Sequence, residues 1–230
     1  MSYNELKQAA WEANMELNDR GLVLYTWGNV SQIDRERGVF ALKPSGVPYE
    51  TLTADDMVVV DLDNKKVEGA LNPSSDTRTH THLYRHFEEI GGVTHTHSTY
   101  ATAWAQARQP IPCYGTTHAD YAYGEIPCTA IMSNEQIERD YEEETGVQIT
   151  DAFAGRRPME TPMVIVAGHA PFTWGKDAAA SVYNAVVLEE VAKMAYLSRT
   201  IDPSLAPLKQ EIVDKHYLRK HGKGAYYGQD

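Results

Sequence analysis

The sequence predicts a single α/β domain in which a mixed sheet is covered by helices. Three observations carry this. The chain has 230 residues, enough to bury one sizeable core. Strand-like segments come first as a run and then alternate with helical ones, the order expected of a sheet with helices packed on it. No linker-like or low-complexity stretch divides the chain, so one domain spanning residues 1–230 is expected.

Each element has its own signal. Leu6, Ala9, Ala10, Ala13 and Leu17 recur at helical spacing, and Gly21 closes this first helix. "LVLYTWGNVS", "GVFALKPSG" and "DMVVVDLD" are bounded by turn residues and read as strands. "SSDTRTHTHLYRHFEEI" opens on capping residues and ends at Gly91-Gly92, so it reads as a helix. "GGVTHTHS" is short, β-branched and glycine-led, hence a strand, and "STYATAWAQAR" is a helix stopped before Pro110. "SNEQIERDYEEETG" opens with a Ser-x-x-Gln capping box and closes at a glycine. "PMVIVAGHAPFTWG" reads as a buried strand. "KDAAASVYNAVVLEEVAKMAYLSR" is a long helix, apolar enough to face a core or a partner subunit. The tail, "LKQEIVDKHYLRKHGKGAYYGQD", is a helix running into a basic, tyrosine-bearing end.

Composition narrows the function. Hydrophobic residues make up 42% and charged residues 23%, ordinary values for a soluble globular protein. The formal charge of −11 repels phosphate backbones, which argues against a nucleic-acid partner. A phosphorylated small molecule stays compatible if basic residues gather locally. Cys113 and Cys128 form no disulfide framework and read as small buried hydrophobes in a reducing compartment. The N-terminus is charged and polar from the start, unlike a signal peptide, and no apolar run approaches the ~20 residues that cross a bilayer. A cytoplasmic protein with no membrane partner is expected. No G-x-G-x-x-G fingerprint occurs, so no nucleotide cofactor is expected.

Thr-His-Thr-His occurs twice, at Thr79–His82 and Thr94–His97. On a strand, residues two apart point to the same side, so His95 and His97 converge. On a helix the same spacing is a rotation of about 200°, so His80 and His82 diverge. His82 and His86 share a helix face but lack the carboxylate of an H-E-x-x-H arrangement, and they read as exposed helix histidines. Asp76 at a helix start and His169 at a strand end are a cap and a buried histidine in their plainest readings. Added to His95 and His97, they form a donor set suited to Zn²⁺ or a similar divalent ion. No cysteine joins the set, which favours a catalytic site over a structural one.

Beyond single motifs, "TWGNVS", "KPSGV", "ADDMVVV", "PSSDT", "HTHS", "GTTHADY", "IPCT", "HAPFTWG", "KHYLRKHG" and the final "AYYGQ" follow one another in a familiar order. This order resembles the L-ribulose-5-phosphate 4-epimerase family of the class II aldolase/epimerase superfamily, along nearly the whole chain. The resemblance implies an α/β/α sandwich with a largely antiparallel central sheet. It implies a homotetramer of C4 symmetry with active sites between neighbouring subunits, served by the C-terminal segment 214–230. It also implies Zn²⁺, with Mn²⁺ or Co²⁺ as substitutes, on Asp76, His95, His97 and His169.

The implied reaction inverts carbon 4 of L-ribulose 5-phosphate to give D-xylulose 5-phosphate. The carbon 4 proton is not acidic, because the ketone is at carbon 2. Breaking the carbon 3–carbon 4 bond instead leaves an enediolate and glycolaldehyde phosphate, which rejoin on the opposite face. That route needs a Lewis acid and two groups that handle protons. The resemblance assigns the second role to Asp120 and Tyr227, with Tyr226 as the rival tyrosine. It assigns phosphate binding to Asn29, Lys43, Ser45, Gly46, Ser74 and Ser75, and contacts from the neighbouring subunit to Thr116, Glu142, His216 and Arg219. Two features depart from the pattern: Ala170 stands where the family commonly has glycine, and His82 and His86 are extra. The nearest alternative is a sugar-phosphate aldolase of the same superfamily, which typically carries glutamate at the Asp76 position. A non-catalytic metal- or sugar-phosphate-binding protein is the other.

Overall fold

The computed structural model describes residues 1–222 and 224–226. Helix α1 (Tyr3–Asp19) leads into strands β1 (Asn29–Asp34), β2 (Val39–Leu42), β3 (Val58–Asp61) and β4 (Lys66–Glu68). Then come α2 (Thr77–His86), β5 (Gly92–His95), α3 (Thr99–Ala107), α4 (Thr116–Ala119) and α5 (Asn134–Ala152). A hairpin of β6 (Met163–Ile165) and β7 (Pro171–Gly175) precedes α6 (Ala178–Ile201) and α7 (Gln210–His221).

The strands form one seven-stranded sheet in the order β4-β3-β2-β1-β5-β7-β6. All its ladders are antiparallel. The parallel component that a mixed sheet would carry is reduced, among the described residues, to the isolated bridge between Cys128 and Ile165. Alternation along the strands divides the core in two. Phe40, Leu42, Val58 and Val60 face Leu83 and Tyr84 of α2, Ile149 of α5, and Phe87 and Phe153 just past the ends of those helices. Val39, Ala41 and Val59 face Leu6, Ala10 and Leu17 of α1 and Ala178 and Val182 of α6. The result is an α/β/α sandwich. Trp174 anchors the first face, its ring 5.2 Å from Phe87 and 5.0 Å from Phe153, where truncation to alanine costs about 3–5 kcal/mol.

Three segments differ from the sequence reading. Of the first strand-like run only Asn29–Ser31 is extended, as the start of β1. The preceding residues turn, with φ of 55° at Tyr25 and 73° at Gly28. A Cβ at Gly28 would lie 2.8 Å from the His95 carbonyl oxygen and 2.7 Å from Val23 Cγ1, so this loop reaches β5 only with glycine there. "PMVIVAGHAPFTWG" folds as the β6–β7 hairpin, which leaves His169 in its connecting turn. Helix α5 has the expected capping box at Ser133 and Gln136 but runs through Gly146 to Ala152. That glycine admits α2: a Cβ on it would sit 2.6 Å from His82 Cβ. Elements β4 and α4 are too short to carry a periodic signal. No helix among the described residues is long and apolar enough to cross a membrane.

Candidate metal centre

Neighbouring strand ends bring three histidines together. His95 ends β5, between Asn29 of β1 and Phe172 of β7. His97 lies two residues past the strand end, so the expected strand covers only part of the pair, yet the two Nε2 atoms are 3.1 Å apart. The hairpin turn adds His169. Ring centroids are 4.9 Å apart for His95–His97, 4.9 Å for His95–His169 and 5.1 Å for His97–His169. One donor atom from each lies within 4.8 Å of the others.

The protonation pattern suits a cation. His95 Nδ1 donates to the Pro171 carbonyl at 3.0 Å, which leaves Nε2 with its lone pair. Burial, followed by the charges of the neighbouring imidazoles, pushes His97 and His169 down to about 4, so both rings are neutral near pH 7. His169 Nδ1 is buried without a hydrogen-bond partner. A tetrahedral ion with nitrogen bonds of ~2.0–2.1 Å spaces its ligands about 3.4 Å apart, close to what His95 and His97 present. The residues therefore fit a divalent ion.

Asp76 stands at the N-terminus of α2 but makes no side-chain capping bond. It lines the same cleft, outside the compact histidine group, and accepts a hydrogen bond from Asn29 Nδ2 at 2.6 Å. Burial opposes its charge, but His95, His80, the Asn29 bond and His169 together hold its carboxyl below the usual range.

The cleft encloses about 590 Å³, and Asn29, Lys43, Ser45, Gly46, Ser74 and Ser75 all line it beside the histidines. Two loops make one wall of it. Ser45 N donates to Asn72 O at 3.0 Å and Ser74 N to Lys43 O at 3.2 Å, so "KPSG" and "PSSD" are zipped together at the start of α2. Free N–H groups and the helix dipole favour an anion there. Lys43 is only 1% exposed. Its Nζ donates to Val47 O at 2.7 Å and sits 4.7 Å above the Tyr49 ring, and burial pushes it down to about 8. Tyr49 in turn donates its hydroxyl to the Trp27 and Gly28 carbonyls at 3.0 and 3.1 Å, fixing the third loop of the cleft.

Two cleft residues were missed from sequence. Trp27 places its ring 6.1 Å from His97, and Tyr141 places its ring 6.0 Å from His169. Tyr141 is hidden in "DYEEETG" because that stretch reads as an unbroken acidic helix face. In fact Asp140 is non-helical, with φ −162° and ψ 98°. Arg78 pairs with Asp140, and Thr79 Oγ1 donates to Glu142 O at 2.5 Å. This clamp turns Tyr141 and Glu142 into the cleft of their own chain. Glu142 therefore departs from the expectation that grouped it with Thr116, His216 and Arg219.

Those residues belong to a separate cluster. Asp120 follows α4, which Thr116 begins. Arg219 Nη2 donates to both Asp120 oxygens at 2.8 and 3.0 Å, His216 Nδ1 lies 3.1 Å away, and His221 Nε2 donates to the Asp120 carbonyl at 2.9 Å. Burial raises the Asp120 pKa, but Arg219, His216 and Lys220 outweigh it and hold the carboxyl below the ordinary value. None of these groups lines the histidine cleft. Tyr226 is 67% exposed, and Tyr227 lies outside the described residues.

The extra histidines pack rather than ligate. His82 and His86 stack at 3.9 Å, and His82 Nε2 lies 3.2 Å from Thr150 Oγ1 of α5. His82 is half-buried at the α2–α5 contact, which corrects its reading as exposed. Ala170 is buried, and its φ is not positive, so the backbone accepts its Cβ.

Comparison with known proteins shows the family. Residues 8–196 match the family described as Class II Aldolase and Adducin N-terminal domain. "L-ribulose-5-phosphate 4-epimerase UlaF" of Salmonella paratyphi C (strain RKS4594) is 56% identical over 225 residues, covering 98% of this chain and 99% of that protein. The Salmonella typhi protein of the same name is 56% identical over the same length. Among solved structures, an L-fuculose 1-phosphate aldolase superposes with a TM-score of 0.80 at 24% identity, covering 92% of this chain and 94% of its own. YgbL of Klebsiella pneumoniae, a putative aldolase/epimerase/decarboxylase, gives 0.73 at 22% identity, covering 94% and 99%. Family match, relatives and fold agree: this chain belongs to the class II aldolase family, whose members depend on a metal ion.

Proposed function

We propose that this chain is a zinc-dependent L-ribulose-5-phosphate 4-epimerase. The reading rests on one juxtaposition above all: three convergent imidazoles share a cleft with a buried lysine and a helix N-terminus. His95, His97, His169 and Asp76 would hold the ion, with Mn²⁺ or Co²⁺ able to replace Zn²⁺. When bound, such an ion supplies Lewis-acid stabilisation of negative charge on the carbon 2 and carbon 3 oxygens.

The protein does the rest. Lys43, Ser45, Gly46, Ser74, Ser75 and Asn29 hold the phosphate, so that the aldehyde fragment can turn about its tether without leaving. Asp120, kept ionised by Arg219 and His216, takes the proton of the carbon 4 hydroxyl as the carbon 3–carbon 4 bond breaks. A tyrosine returns a proton when the bond re-forms on the other face, and Tyr227 is the candidate. Asp120 lies outside its own chain's cleft, so it serves the cleft of a neighbouring subunit together with Thr116, His216, Arg219 and segment 214–230. This makes residues 1–230 one domain of a four-fold homotetramer. The exposed apolar side chains of Tyr183, Tyr196, Leu197 and Ile201 along α6 support such self-association. The free thiols of Cys113 and Cys128 suit the cytoplasm.

Incubation with L-ribulose 5-phosphate tests the assignment. Clean interconversion with D-xylulose 5-phosphate is expected. Chelation abolishes it, and Zn²⁺, Mn²⁺ or Co²⁺ restores it. The fold neighbour named as a fuculose phosphate aldolase favours a second reading, lyase chemistry. Net accumulation of glycolaldehyde phosphate would establish that reading instead, and full turnover after complete metal removal would refute both.

A further inference from the structure

Helix α2 carries a histidine that the cluster of three does not include. His80 is 0% exposed. Its Nδ1 lies 2.7 Å from Ser31 Oγ on β1, and the same oxygen lies 2.7 Å from the Tyr84 hydroxyl. One ring nitrogen is thus tied into a buried chain of three side chains. The other, Nε2, is buried with no hydrogen-bond partner. Leaving such a group unpaired costs about 1–3 kcal/mol, which a hydrocarbon side chain of similar shape would avoid.

The place of the ring in the helix indicates what Nε2 is for. His80 N donates to Asp76 O at 3.0 Å, so the two residues are one turn apart and share a face of α2. Asp76 and His95 are the titratable neighbours whose fields reach the ring. A neutral imidazole carries one N–H; in the tautomer whose Nδ1 accepts from Ser31, that proton sits on Nε2. Asn29 already holds one Asp76 oxygen, and the helix cap makes no claim on the carboxylate. Carboxylates that bind metals are themselves commonly held by hydrogen bonds from the protein.

We propose that His80 is a positioning residue of the metal centre: anchored at Nδ1 by Ser31, which Tyr84 holds in turn, it keeps an unpartnered Nε2–H in reserve for the Asp76 carboxylate and so fixes that group as the fourth ligand beside His95, His97 and His169 when a metal binds. The proposal rests on Asp76 being a ligand. It assigns a role to the first Thr-His-Thr-His, one turn of α2 away from the metal rather than on it.

Two substitutions separate the ring nitrogens. In His80→Asn the amide nitrogen replaces Nδ1 and reaches Ser31 but not Asp76. In His80→Gln it falls near the place of Nε2. The readouts are Zn²⁺ affinity by competition with a chromophoric chelator and the visible absorption of the Co²⁺-loaded protein, with circular dichroism to check folding. His80→Asn is expected to bind Zn²⁺ about 10–100-fold more weakly with an altered Co²⁺ spectrum, and His80→Gln to stay within about threefold of the parent. Ser31→Ala, which frees the ring, is expected to fall between them, and it supplies the test if His80→Asn does not fold. Parent-like affinity and spectrum in both His80→Asn and Ser31→Ala would overturn the proposal, as would loss in His80→Gln with retention in His80→Asn. Asp76→Ala is the control for the underlying reading: unchanged Zn²⁺ affinity there would remove Asp76 from the ligand set, and the proposal with it.

Discussion

Gly146 offers a test of how the two helices behind the cleft are spaced. A methyl group there would lie 2.6 Å from His82 Cβ and 2.8 Å from His82 Cγ. Both atoms are close to the α2 backbone and cannot swing aside. In an exposed helix interior, Gly→Ala stabilises by about 0.5–1 kcal/mol. Here overpacking costs about 1–3 kcal/mol and reverses the sign. The expected net loss is about 1–2 kcal/mol. With an unfolding entropy near 2.1 cal/mol/K per residue, a chain of this length loses about 2–4 °C in Tm. His82→Gly removes the obstructing atoms, so Gly146→Ala in that background should stabilise by about 0.5–1 kcal/mol, a coupling far above the ~0.3–0.5 kcal/mol scatter of independent sites. Urea unfolding of the four proteins at fixed metal and protein concentration measures the cycle. The same helices place Tyr141 and Glu142 opposite Asp76, so the single variant should also raise KM. A higher urea midpoint for Gly146→Ala alone, or equal effects in both backgrounds, would refute the packing argument.

Three further outcomes follow from the site. Burial lowers the Lys43 pKa from 10.5 to about 8, so kcat/KM for the sugar phosphate should fall as pH rises through about 8, where the cleft loses its ammonium. The same group binds fewer protons folded than unfolded between those values, so the stability of the ligand-free protein should rise with pH across that window; flat profiles in both measurements would dismiss the assignment. Tyr141→Phe should cost about 2–10-fold in kcat/KM, the worth of one neutral hydrogen bond to substrate, with Zn²⁺ affinity unchanged; an equal loss of Zn²⁺ binding would point to a structural role. Arg219→Met should shift the acidic limb of the pH–rate profile upward, because Asp120 loses its two-oxygen partner. The stability that the lowered Asp120 pKa contributes is present above its unfolded value and fades as pH falls through the folded one, so the variant should also lose stability near neutrality; an unmoved acidic limb would place Asp120 outside the chemistry.

Much of this site is legible because its parts are local. "KPSG" reads as a turn and "PSSD" as a helix start within their own few residues, and a His-x-His at a strand end needs only the period of a strand to be read as a converging pair. What stays hidden depends on contacts between distant segments. Gly146 looks like a helix terminator, and only the approach of His82 from α2 shows why a glycine is carried through mid-helix. The break at Asp140 is held by Arg78 and Thr79, more than sixty residues earlier, so no pattern within "DYEEETG" announces that Tyr141 lies beside His169. Separation of Asp120 from the cleft is equally invisible, because α4 and α7 meet through chain segments almost one hundred residues apart. Residue types indicate chemistry; only the fold indicates which cleft they serve.

The repeated Thr-His-Thr-His shows how far backbone periodicity alone decides function. At the end of β5 the spacing turns both imidazoles toward one point, and the rings meet Nε2 to Nε2. In α2 the same letters rotate by about 200° between the histidines. His80 is driven under the sheet onto Ser31, while His82 packs outward against α5. Neither helix histidine can reach the other's partner. A second copy of the tetrapeptide therefore gives no second converging pair among the described residues, and transplanting "THTH" into any helix would likewise yield one inward and one outward ring rather than a chelate.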